Sequence, residues 1–467
     1  MKIRNILAAA LAAIIPASAS AETVQSTVVH PEWSKNAVIY EVNTRQYTPE
    51  GTFKAFAGHL PRLKDLGVDI LWFMPIHPIS QKNRKGTLGS YYAVKDYKAV
   101  NPEFGTMDDF KAVVDSAHAL GMKVLIDWVP NHTGCDNAWV ETHPEYYARN
   151  AEGQMYGPYD WTDVYKLDYS NKATRKAMTD ALKFWLREAD IDGFRCDVAA
   201  QVPVDYWDEA RPELQKVKAD VFMLAEADEP ALNVNAFDMS YNWPMKDLFS
   251  AVAATQGQYT FVAPGQTEPR KFHAAHAADI AKLVARQDTV FPVGTYMMNM
   301  ITNHDLNSWE GTEFQRLGKF ADAFAVLEYT LPGMPLIYTG QEVGLNRAFE
   351  FFEKDTAPDF TPNRYTAFYK TLNALKHSRP ELAAGTDGGK LTVYPTDNDN
   401  VLVFERRLGD QATVVGVNLS DTPCVLQFGN THAGRLSANL TDALSGRPMT
   451  ALPDTLAPGG FFLVTEN

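Results

Sequence analysis

Between Ala37 and His377 the chain alternates short apolar runs with stretches of helical periodicity, and this alternation restricts the fold more than any other feature. Residues 37–42, 68–73, 122–128, 191–196, 221–225, 296–301 and 336–338 read as strands. Residues 53–66 read as a helix ending at Gly67, and residues 107–120 as one ending at Gly121. Residues 172–189 read as a further helix, with apolar positions at Ala177, Ala181, Leu182 and Trp185. Strands separated by helices of this length pair in parallel. About eight such units close naturally into a (β/α)8 TIM barrel of the α/β class. An open doubly wound sheet is the alternative, but no glycine-rich phosphate turn follows the first strand.

Two departures from the alternation set the domain plan. After Trp128 roughly forty residues rich in Tyr, Trp, Asn and Gly precede the next helix, a length that usually marks function rather than a plain connection. Residues 131–170 are therefore expected to form a short excursion over the barrel mouth. Beyond about Leu382 the pattern changes to short β-type runs at 391–394, 401–405, 413–418, 424–428 and 461–464, separated by turns such as Asp387-Gly388-Gly389 and Pro458-Gly459-Gly460. These imply a C-terminal antiparallel β-sandwich over 381–467, behind a barrel domain over 22–380. Its aromatics, Tyr394, Phe404, Phe428, Phe461 and Phe462, read as core rather than as a ligand platform.

The first 21 residues read as an address. Lys2 and Arg4 precede an apolar run from Ile6 to Ile15, and Ala19-Ser20-Ala21 forms an A-x-A cleavage site, so a cleavable signal peptide and export to periplasm or medium are expected. No later stretch is apolar for about 18 residues, so no membrane span is expected. A formal net charge of −14 over 467 residues argues against nucleic acid or anionic membrane as a partner. The three cysteines, Cys135, Cys196 and Cys424, are too few and too widely spaced for a disulfide framework and read as buried thiols.

Four polar clusters stand where barrel strands end, the face on which such barrels do chemistry. They are Asp127 to His132, Gly193 to Asp197, Leu224 to Asp228, and Ile301 to Asp305. Arg195 and Asp197, two apart on a strand, leave the same face, so the guanidinium is expected to keep Asp197 ionised. Glu226 ends an apolar strand, where desolvation suits a carboxyl to donating a proton. Asp305, preceded by His304, brings a third carboxylate. One charged and one protonated carboxyl flanking a bond are what glycoside cleavage requires.

These residues resemble the motifs of the α-amylase family of glycoside hydrolases, family 13. The four short motifs appear in order, and Gly67 to Ile76, Gly333-Met334-Pro335 and Gly340-Gln341-Glu342 are similar to its auxiliary patterns. The resemblance covers the barrel, roughly Asn36 to His377, and implies a retaining α-glucan hydrolase acting mainly on α-1,4 bonds of starch, glycogen or maltooligosaccharides. It implies Asp197 as nucleophile, Glu226 as acid and base, and Asp305 as the group that binds the sugar hydroxyls at carbons 2 and 3. Arg195 would hold Asp197, His132 and His304 would donate to sugar hydroxyls, Tyr92 would stack beneath the sugar, and Asp127 would support the site. No cofactor is required for this chemistry. A structural calcium remains open, because Asn131 matches a frequent ligand position while Ala200-Gln201 stands where starch-cleaving members often carry Lys-His. A neopullulanase-like, α-1,6-acting or glucosyl-transferring member is the alternative within the family. A non-catalytic glucan-binding protein is the alternative outside it.

Overall fold

The computed structural model describes residues 24–426 and 439–466. The signal-peptide segment and Phe428 lie outside the described residues. Eight parallel strands close into a barrel in the order one-two-three-four-five-six-seven-eight. They are Ile39–Val42, Ile70–Phe73, Lys123–Trp128, Gly193–Cys196, Phe222–Ala225, Met239–Tyr241, Tyr296–Asn299 and Met334–Tyr338. The sixth was not read from the sequence.

Strand parity sorts the side chains into two cores. Ile39, Ile70, Trp72, Leu125, Phe222, Leu224, Met239, Tyr241, Met298 and Leu336 fill the barrel interior. Their neighbours Val38, Tyr40, Leu71, Phe73, Val124, Ile126 and Phe194 pack outward beneath the helices. Successive strand residues point to opposite faces, so Glu41, Asp127, Arg195 and Glu226 share the inward parity of Ile39, Leu125 and Leu224. Each stands at the C-terminal end of its strand, and together they cap the apolar interior with charge.

One helix differs from the sequence reading. Residues 53–66 form two helices, Phe53–Ala57 and Leu60–Leu66. Pro61 falls in the first turn of the second, where its missing N–H and fixed φ are tolerated; within one continuous helix both would break the hydrogen-bond ladder. Gly67 closes it in the left-handed region at φ 97°.

The excursion after the third strand pairs His132–Gly134 with Val164–Lys166 antiparallel. It leans on the long connection after the second strand through Ile79, Ala93 and Val164, which form a small core of their own. Gly134 permits that approach, since a Cβ there would lie 2.3 Å from Ser80 Cβ and 2.8 Å from the Ala93 carbonyl oxygen.

The last barrel helix ends at Ser378, and the C-terminal sheet begins at Lys390. It has six antiparallel strands, and a two-stranded sheet, Cys424–Val425 with Thr455–Leu456, joins its core on one face. Tyr394, Phe404 and Phe462 are buried, and the half-buried Phe461 packs against Phe368. All three cysteines are buried and free. Among the described residues no helix is long and apolar enough to cross a membrane.

Candidate active site

Arg195 is the hub of the mouth. Its guanidinium is fully buried, and Nη1 donates to Asp127 Oδ1 at 2.8 Å and to Asp197 Oδ1 at 3.0 Å. Nη2 lies 3.0 Å from Glu226 Oε2, and Nε donates to Tyr241 Oη at 3.0 Å. The rings of Trp72, Tyr241 and Tyr92 surround it, with centroids 5.0, 5.4 and 5.8 Å from Cζ. A planar fork of five donors suits this task, and a lysine could not make these contacts at once.

Four candidate residues therefore converge directly. Tyr92 joins them, its hydroxyl donating to Asp127 Oδ2 at 3.0 Å and lying 2.7 Å from His304 Nε2. The His304 ring stacks on Tyr92 and approaches Asp305 Oδ2 to 3.4 Å. His132 is buried beside them, tied to the Tyr92 backbone and 3.3 Å from the Asn131 amide. The side chains of Asp197 and Glu226 keep 11% exposure and Asp305 36%, so these three face the opening.

The segment after Asp197 is strained. Val198 is a β-branched residue in the left-handed region, at φ 38°, where such residues are rarely found. That conformation aims its N–H at Glu226 Oε2, 2.8 Å away. The chain after the fourth strand thus orients the carboxyl at the end of the fifth. On the far side, a single π-helical turn, Leu306–Glu310, follows Asp305, a rare geometry common at functional sites.

Charge is crowded here. Burial, then the neighbouring Glu226, push Asp197 well above the usual carboxylate range despite Arg195. Arg195 opposes that rise through the 3.0 Å contact with Asp197 that the sequence spacing leads one to expect. Asp127 is likewise raised to about 6, chiefly by burial. Burial opposes the charged form of His304, but Asp305 and Glu41 outweigh it and lift the ring to about 9. Burial lowers His132 to about 3, so it is neutral at ordinary pH.

Sequence reasoning passed over three members of this site. Glu41 is fully buried and bonds His304 Nδ1 directly, while its second oxygen accepts from the His304 N–H. Its signal was a lone carboxylate inside an otherwise apolar strand. Trp72 donates from Nε1 to Asp127 Oδ2 at 3.3 Å, and Tyr241 holds Arg195 from the unread sixth strand.

Among the described residues no three His, Cys, Asp or Glu side chains converge as metal ligands. The Asn131 amide turns to His132, and Asp163 is paired with Lys85 at 2.9 Å.

A closed parallel barrel that gathers carboxyl groups around one buried arginine at its C-terminal mouth is the architecture of a glycoside hydrolase. The catalytic-domain model of α-amylases matches residues 23–156 and 145–370. The chain belongs to the α-amylase family. An α-amylase from Lactobacillus plantarum superposes with a TM-score of 0.78 at 30% identity, covering 92% of this chain and 99% of that one. Alpha-amylase MalA of Haloarcula japonica is 26% identical over 440 residues, 91% of this chain but 60% of MalA. Neopullulanase 2 of Thermoactinomyces vulgaris is 26% identical over 449 residues, covering 83% and 70% respectively.

Proposed function

We propose that the chain is a retaining α-glucan hydrolase that cuts mainly α-1,4 bonds in starch, glycogen or maltooligosaccharides. The observation that carries this reading is the grip of one guanidinium on both Asp197 and Glu226. Retaining enzymes hold their two carboxyls about 5–5.5 Å apart, and inverting ones about 6.5–9.5 Å to admit a water between. Both carboxyls reach the same guanidinium at 3.0 Å, which supports the closer arrangement.

In this reading Asp197 attacks the anomeric carbon while Glu226 protonates the departing oxygen, which breaks the glycosidic bond and leaves an ester on Asp197. Glu226, now ionised, takes a proton from water as that water attacks the same carbon and frees Asp197. The raised Asp197 carboxyl supplies the starting condition: the crowded pair holds a proton before substrate arrives. A sugar that develops positive charge over Asp197 favours its ionised form, leaving the proton to Glu226. Asp305 and His304 stand where they would bind sugar hydroxyls, and His132, neutral, is suited to donate another. Carboxyl groups provide nucleophile, acid and base, so the chemistry needs no cofactor.

The test is to incubate the protein with soluble starch, pullulan and maltoheptaose, with Asp197→Asn as control, reading product sizes by chromatography and the first anomer by proton NMR. Short α-configured maltooligosaccharides, absent from the control, are expected. A β-anomer first would refute retention. A preference for pullulan would favour the neopullulanase-like reading, which draws support from relatives named Neopullulanase 2 and Cyclomaltodextrinase at the same 26% identity as MalA. Tight glucan binding with no product would leave only a binder. Export rests on the basic, apolar and A-x-A pattern of residues 1–21, and N-terminal sequencing of the mature protein should begin at Glu22.

A further inference from the structure

The guanidinium of Arg195 turns as one rigid plane about its bond to Cδ, so the partner of Nε sets the angle at which the outer nitrogens reach their carboxyls. That partner is Tyr241, whose Oη accepts from Nε at 3.0 Å. At the outer end only Nη1 makes aligned hydrogen bonds, one to Asp127 and one to Asp197. Nη2 meets Glu226 Oε2 at 3.0 Å as an ion pair without hydrogen-bond alignment. Remove the contact at Nε and the plane is held by Nη1 alone, the nitrogen that Asp197 shares with Asp127.

Tyr241 is itself fixed. It is fully buried at the C-terminal end of the sixth strand and shares the inward parity of Met239. It lies opposite Met298 of the seventh strand, and the Asn242 N–H that follows donates to the Met298 carbonyl at 3.0 Å. Asn242 Nδ2 donates to Asn299 Oδ1 at 2.9 Å, and Asn242 Oδ1 accepts from Gln287 Nε2 at 2.7 Å. The Tyr241 ring packs against Trp243 at 5.0 Å and Trp72 at 6.3 Å. Asp127 is anchored in its turn by Tyr92 and Trp72. Arg195 therefore hangs between two partners that are set before substrate arrives.

The acceptor at Nε is also neutral. Burial pushes the Tyr241 phenol well above its ordinary range, so its oxygen accepts without carrying charge. A carboxylate there would satisfy the same N–H but add a further negative charge to the buried group of Asp127, Asp197 and Glu226. Phenylalanine would add no charge but leave a buried donor without its acceptor. Tyrosine avoids both.

We propose that Tyr241 is a positioning residue for cleavage, its hydroxyl setting the orientation of Arg195 and through it the placement of Asp197 for attack on the anomeric carbon. This rests on the hydrolase reading above. The experiment measures kcat, KM and the pH profile of Tyr241→Phe on maltoheptaose, beside Arg195→Lys and the double variant.

Tyr241→Phe should lower kcat about tenfold, the factor that one hydrogen bond to a charged group supports, and change KM by less than about twofold. The acid limb of kcat/KM should move to higher pH, because Arg195 opposes the rise of Asp197 and a turned guanidinium opposes it less. Arg195→Lys leaves no Nε–H for the phenol to hold, so the double variant should be about as slow as Arg195→Lys alone. Losses that multiply in the double variant, or an unchanged kcat and pH profile in Tyr241→Phe, would overturn the role. Should Tyr241→Phe fail to fold, Tyr241→3-fluorotyrosine keeps the ring and weakens the acceptor, and a smaller loss in the same direction is expected. A wild-type protein that cleaves no α-glucan would sink the hydrolase reading alone. The Arg195 Nε–H resonance in nitrogen-15 NMR, exchanging slowly in the wild type and fast in Tyr241→Phe, would still decide whether the phenol holds the guanidinium.

Discussion

Replacing Glu41 by glutamine removes one of the two negative charges that keep a proton on His304 while leaving the side chain's shape almost unchanged. Burial alone would favour neutral imidazole, so the rise of His304 to about 9 from an ordinary value near 6.5 is the net work of Asp305 and Glu41. That difference corresponds to roughly 3 kcal/mol in favour of the charged ring. Asp305 acts by charge across 3.4 Å, whereas Glu41 acts both by charge and by a direct bond to the ring, so its removal takes away a substantial part of that preference. A histidine whose folded pKa is raised stabilises fully below its unfolded value and loses that contribution as pH rises through its folded one. The wild type should therefore lose stability between about pH 6.5 and 9, and Glu41→Gln should be less stable near pH 6.5 with a flatter slope above it. Guanidinium unfolding at pH 6, 7, 8 and 9 reads this directly. The alkaline limb of kcat/KM on maltoheptaose should also move to lower pH, since His304 loses the proton that its ring nitrogen presents to Tyr92 and Asp305. Parallel stability curves together with an unmoved alkaline limb would refute the argument.

Three further outcomes follow from the same contacts. Glu226→Gln should lower kcat by about 10²- to 10⁴-fold with little loss of glucan binding, and the loss should be smaller for aryl glucosides, whose leaving group needs less protonation. His132, lowered to about 3, contributes stability present above its unfolded pKa near 6.5 and lost as pH falls toward 3; up to roughly 5 kcal/mol is at stake, so His132→Gln should flatten the acid limb of unfolding. Exhaustive EDTA treatment followed by dialysis should leave kcat and the melting temperature unchanged, because the Asn131 amide turns to His132 and Asp163 is paired with Lys85; a reversible loss restored by calcium would contradict that.

The barrel was legible because parallel strands covered by helices must alternate with them in sequence, and the loops that do chemistry must then begin where apolar runs stop. Strand six escaped because only Met239–Tyr241 is extended, with a serine at its centre, too short for any periodicity to register. The loss carried further than one strand, since Tyr241, a partner of Arg195, went with it. Glu41 was visible but unexplained: a carboxylate two residues after the inward-facing Ile39 must itself face inward, and only a buried cation makes that tolerable. His304, more than 260 residues away, is that cation.

The electrostatics of Asp197 have the same root. Sequence spacing places Arg195 beside Asp197 and predicts a simple pair, one cation stabilising one anion. In the folded barrel the arginine also meets Asp127 from strand three and Glu226 from strand five, so one positive charge is shared among three carboxyls. Burial first, then the charges of Glu226 and Asp127, raise Asp197 despite Arg195. An active site built on two carboxyls needs one of them charged and one protonated, and pairing each with its own arginine would ionise both. The division of one arginine among three carboxyls is set by barrel closure rather than by any local motif.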